Sequence, residues 1–112
     1  MINNYAKDRR ECPRIRVSVP VEIQTDAAGS PIRCATTDLS LGGCYIETIF
    51  PFPIGTNLDL QLSLGTIVLI AATVVTCDPQ VGNGIKFTKI LPEDQEQLRA
   101  HIEAAQQAQD QT

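Results

Sequence analysis

Twice in this chain apolar and polar residues alternate without a break for seven residues or more, and no other feature narrows the choice of fold as far. Val17, Val19, Val21 and Ile23 alternate with Ser18, Pro20, Glu22 and Gln24; Leu58, Leu60, Leu62 and Leu64 alternate with Asp59, Gln61 and Ser63. A period of two puts one set of side chains on one face of an extended chain, so each run predicts a strand with one buried face, despite leucine's own helix preference. Pro20 has no amide proton to offer a neighbouring strand and points to an edge or a bulge. Ala27 to Pro31 supplies turn chemistry, Ile32 to Leu39 restarts an extended segment, and Gly42 and Gly43 break it with a tight connection needing positive φ. Cys44 to Ile49 reads as the returning strand, and Pro51, Pro53 and Gly55 mark the loop after it.

Gly65 turns the chain into Ile67 to Val75, which is apolar on both faces and rich in β-branched residues. That predicts a strand whose outer face is covered by a helix or a second subunit. Asp78 to Gly84 reads as a further turn, with Ile85 and Phe87 pointing inward from a last strand around Lys86. After Pro92 the composition changes to helix formers. Pro92 suits the first turn, Glu93, Asp94 and Glu96 suit the positive end of the dipole, and Leu98, Ile102 and Ala105 share one face. Several short strands at regular spacing followed by one amphipathic helix predict an all-β antiparallel barrel capped by a C-terminal helix, with Gln106 to Thr112 fraying.

At 112 residues the chain fits one such domain, predicted over residues 14–112 behind a flexible N-terminal arm of residues 1–13. No segment reads as a signal peptide or a membrane span, and the chain is expected to be soluble and cytoplasmic. The four cysteines, Cys12, Cys34, Cys44 and Cys77, fall in no metal-ligand spacing and suit a reducing compartment; the last three read as small buried hydrophobes. The only histidine, His101, is on the predicted helix, and Ser40 and Asp38 have no evident base, so the reading is non-enzymatic, without metal or cofactor. The net charge of −4 disfavours a general nucleic-acid binder. Charge is uneven, however: Lys7 to Arg16 carries a net +3, leaving −7 for the remainder. Such a distribution suits a small anion better than a long polyanion.

Two motifs carry the chemistry. Arg10 and Arg14 form an R-x-x-x-R in which Pro13 disfavours a regular helix, so the two belong to a loop able to wrap around something. Their guanidinium forks can grip phosphate bidentately, bond the O6/N7 edge of guanine, or stack on a purine. Asp38, Ser40 and Gly43 form a D-x-S-x-x-G at the turn between strands two and three. A carboxylate accepts from the pairing edge of guanine, a hydroxyl donates or accepts, and a glycine admits close approach. Together they describe a pocket for a phosphorylated guanine nucleotide. Asp38 and Ser40 also suit a turn that bonds its own backbone, a role compatible with facing a ligand.

With these motifs in this order, followed by Gly84-Ile-Lys-Phe87 and the terminal helix, the chain resembles the PilZ domain family from about Arg9 to Ile102. The resemblance implies a six-stranded antiparallel β-barrel that binds the bacterial second messenger cyclic di-GMP, the arm closing over the ligand. It implies that Arg10 and Arg14 contact phosphate and guanine while Asp38, Ser40 and Gly43 line the other side. By the same resemblance Arg9, just ahead of the motif, implies two stacked ligand molecules per chain, a third guanidinium being available to the second molecule. Where relatives often carry a basic or aromatic residue after the fifth strand's apolar run, this chain has Thr76 and Cys77. The expected role is signalling to an unidentified downstream protein, with motility, biofilm formation, exopolysaccharide export and virulence as outputs. The alternative is a barrel of the same fold that assembles with a partner and does not bind the dinucleotide. Monomer and homodimer both remain open.

Overall fold

A computed structural model describes residues 14–25 and 29–110. Six strands, β1 (Pro20–Thr25), β2 (Ile32–Leu39), β3 (Gly43–Glu47), β4 (Asn57–Ser63), β5 (Ile67–Asp78) and β6 (Gly82–Ile90), precede one helix, α1 (Pro92–Asp110). The strands close into an antiparallel barrel in the order β1-β2-β3-β6-β5-β4. The alternation sets the inside: Val21 and Ile23, Leu58, Leu60 and Leu62, and Val68, Ile70, Ala72 and Val74 are all buried in one cluster. Leu98 and Ile102 of α1 are buried in the same cluster, with Ala105 packed against it. Burying two such side chains contributes roughly 1.5–3 kcal/mol each, which fixes the helix to the barrel.

Four expectations about element bounds and pairing are corrected. Pro20 sits at no edge, because β1 pairs with both β2 and β4; it is the first residue of its strand, where the missing amide proton is tolerated. The run ahead of it, Val17 to Val19, is not ladder-paired. Thr36 takes the ladder's place, its hydroxyl donating to the Val17 carbonyl (2.7 Å) and accepting from the Val19 amide (3.0 Å). Gly82, Asn83 and Gly84 belong to β6 rather than to a turn, and the turn contracts to residues 79–81. Asn83 points inward, fully buried, and bonds the Phe52 amide and carbonyl (2.8 and 2.9 Å) and the Thr76 carbonyl (3.1 Å). Lastly, α1 continues to Asp110, and in its last turn the Gln109 side-chain amide donates to the Arg16 carbonyl (3.0 Å).

The outer face of β5 is not covered by α1: Ile67 and Leu69 remain more than half exposed and Val75 nearly so. Of the three cysteines among the described residues only Cys44 is fully buried, while Cys34 and Cys77 are partly exposed. No helix among the described residues is long and apolar enough to cross a membrane.

Candidate functional site

The D-x-S-x-x-G segment forms the hairpin from β2 to β3, and its geometry depends on a phase change. Thr36 faces the core, so strict alternation would turn Asp38 inward as well. A bulge between Thr36 and Asp38 inserts one residue, after which Leu39 is fully buried and Asp38 faces outward. Ser40 then closes the turn. Its amide donates to the Gly43 carbonyl (2.8 Å), and its hydroxyl accepts from the Gly42 and Gly43 amides (both 3.1 Å) and lies 3.3 Å from the Gly43 carbonyl as a donor. With its side chain buried and fully engaged, Ser40 acts on the site by fixing the loop that presents Asp38.

The two glycines do not take positive φ, contrary to expectation; among the described glycines that conformation belongs to Gly29, Gly55 and Gly65. Gly43 is needed for close approach instead. It is buried opposite Lys86 of β6, and a Cβ there would run into the Ile85 carbonyl. The tight contact draws β3 and β6 together beneath the loop.

Arg14 comes to this loop through backbone pairing. Ile15 and Leu39 exchange both amide-to-carbonyl bonds at 2.9 Å, an isolated antiparallel bridge that lays the chain entering the barrel beside the end of β2. The buried Ile15 side chain anchors it. Arg14 Nη1 then lies 2.8 Å from Asp38 Oδ1, with the two side chains 54% and 24% exposed. An exposed pair of this kind adds little stability, about 0–1 kcal/mol. Its value is positional: a guanidinium has five N–H donors, so one bond to Asp38 leaves the rest of the fork open for another acceptor. Arg9 and Arg10 lie outside the described residues. An open groove of about 640 Å³, lined by Arg16, Val17, Ser18, Thr37 and Glu47 among others, adjoins the pair through Thr37.

Two titrating groups flank the loop. Burial pushes the Cys44 thiol up to about 12, aided by the charges of Asp38 and Cys34 and opposed by Arg14, so Cys44 is an inert packing group under the loop. Tyr45, the direct cross-strand partner of Asp38, donates its hydroxyl to Asp78 Oδ2 (2.7 Å). That bond, with smaller contributions from burial and from the charges of Asp78, Glu47 and Cys77, raises the phenol to about 12. Sequence reasoning misses Tyr45, although a signal was present: counting back from the Leu39–Cys44 pair across the hairpin sets Tyr45 opposite Asp38. No group of three or more potential metal ligands occurs among the described residues.

The structure is thus a closed six-stranded barrel with one packed helix, carrying an arginine–carboxylate pair beside its β2–β3 turn. The chain belongs to the PilZ domain family, whose sequence profile matches residues 8–104. Among solved structures it is similar to the Bacillus subtilis inhibitor of motility MotI/DgrA, with 22% identity and a TM-score of 0.73 over 88% of this chain and 52% of that one. It is similar also to YcgR from Escherichia coli in complex with c-di-GMP, with 22% identity and a TM-score of 0.74 over 92% and 48%. A third is the PilZ domain of CeSA from a cellulose-synthesizing bacterium, with 18% identity and a TM-score of 0.67 over 84% and 98%. The chain thus spans about half the length of the first two and nearly all of the third. No curated protein sequence matches it.

Proposed function

We propose that this chain is a non-catalytic receptor for cyclic di-GMP, with Arg9, Arg10 and Arg14 on one side of the ligand and the loop of Asp38, Ser40 and Gly43 on the other. The observation that carries this reading is the Arg14–Asp38 pair, 2.8 Å apart and solvent-accessible at the mouth of the hairpin. A guanidinium beside a carboxylate offers donors to phosphate or to the O6/N7 edge of guanine, and acceptors to the N1 and N2 donors of the same base. Support comes also from family membership and from PilZ structures solved with c-di-GMP, YcgR among them. In this reading Asp38 meets the ligand directly, while Ser40 and Gly43 hold its loop in shape. Residues 1–13 form the arm that closes over the ligand, converting its presence into a new surface for a downstream protein. Arg9 favours a second, stacked ligand molecule by supplying a further guanidinium.

The test is isothermal titration with cyclic di-GMP, with GTP as the control nucleotide. Saturable binding is expected for the unsubstituted chain and loss of at least a hundred-fold in affinity for the Arg10→Ala, Arg14→Ala double variant. A stoichiometry near two that falls to one in Arg9→Ala supports the stacked pair. Absence of binding by folded protein removes the receptor reading and favours the interaction barrel, which the exposed apolar row of Ile67, Leu69 and Val75 would serve.

A further inference from the structure

Tyr45 is held in an unusual way for a strand residue with one side open to solvent. Its ring leans over Gly82 of β6, where a Cβ would press against the ring carbon Cε2, so the missing side chain makes the notch in which the ring lies. Its hydroxyl reaches across to β5 and is tied there to Asp78 Oδ2 at 2.7 Å. The ring is thus fixed at its root on β3, along its edge by β6 and at its tip by β5. A free surface tyrosine samples several rotamers; this one has been denied them.

The surroundings suit a planar ligand. Tyr45 is paired directly with Asp38, which holds Arg14 at 2.8 Å. On the other side Tyr45 is opposite Gly84, with Gly82 under its ring on one diagonal and Lys86 on the other, on the same outward face of β6. Lys86 is exposed and makes no ion pair among the described residues. One patch of the barrel wall therefore carries a carboxylate, a guanidinium, an anchored aromatic ring and an ammonium group. Those are the partners that the pairing edge, the phosphate and the flat face of a purine nucleotide require.

We infer that Tyr45 is a stacking platform for one guanine ring of the dinucleotide, held flat by Gly82 and Asp78, with Lys86 beside it to meet phosphate. This inference rests on the receptor reading above and extends its ligand contact from the loop onto the outer face of β3 and β6. It also gives this chain an aromatic surface beside Thr76 and Cys77.

The experiment is titration with cyclic di-GMP of the full chain and of Tyr45→Phe, Tyr45→Ala and Lys86→Ala, each checked for native melting. Stacking on one base is worth ten-fold or more in affinity, so Tyr45→Ala should weaken binding by at least about ten-fold, while Tyr45→Phe should stay within a few-fold of the parent. Lys86→Ala should lower affinity and flatten its salt dependence. Because the chain has no tryptophan and only Tyr5 and Tyr45, a Tyr5→Phe variant leaves Tyr45 as the sole tyrosine emitter. Its fluorescence should be quenched on saturation with ligand, a readout that survives even if Tyr45→Ala fails to fold. Unchanged fluorescence, or full affinity in a folded Tyr45→Ala, overturns the platform while the arginine variants still test the receptor reading. If the parent chain does not bind the dinucleotide, both fall together.

Discussion

Thr36 does at one position what a strand pairing would otherwise do. It is buried among apolar side chains, yet its hydroxyl bonds Val17 and Val19 and so ties the segment bearing Arg14 to β2. Thr36→Val keeps the shape and removes both bonds, leaving a buried amide on Val19 without its partner. The expected cost is about 2 kcal/mol in chemical denaturation. Because the lost bonds tether the Arg14 segment, cyclic di-GMP affinity should fall more than global stability alone explains. The residues recognisable from sequence were those defined by chemical type, Arg14 and Asp38. Their meeting depends on the bulge at Thr37 and the Ile15–Leu39 bridge, and neither leaves a mark in the hydrophobic pattern.

Among elements, β4 follows directly from its alternating residues, because it has one buried side and little competition from turn chemistry, whereas β5 is legible as a strand from its β-branched residues but, being apolar on both faces, does not mark which face turns inward. β6 was harder to read. Gly82, Asn83 and Gly84 have the composition of a turn, but two of the three are glycines for steric reasons. Gly82 lies under the Tyr45 ring and the β3 backbone, and Gly84 meets the Thr76 side chain. Asn83 between them is polar because it ties the β3–β4 loop to β5, making two hydrogen bonds to Phe52 and one to Thr76. Asn83→Ala removes all three bonds and leaves a void at a fully buried position, with an expected loss of about 3 kcal/mol. Hydrogen exchange should localise the increased opening to residues 48–56 and leave β1 and β4 protected.

For the whole molecule, alkaline pH acts through the buried thiol and, from about pH 10, also through the Tyr45 phenol bonded to Asp78. Cys44 has an ordinary value of 9.0 and is pushed up to about 12 in the fold. Below pH 9 both folded and unfolded chains keep this proton, and the thiol contributes no pH dependence to stability. Between about pH 9 and 12 the unfolded chain releases it while the folded chain retains it, so stability falls as pH rises through that window. Denaturation midpoints measured across this range should decline, and a Cys44→Ala variant should decline less steeply. The barrel's closure has a different outcome. Every one of the six described strands has a neighbour on both sides, so the barrel wall offers no row of backbone groups to a visiting strand. A partner must recognise this cylinder by its side chains alone, and outward-facing positions can change allegiance one residue at a time while the hydrogen-bonded wall behind them stays the same.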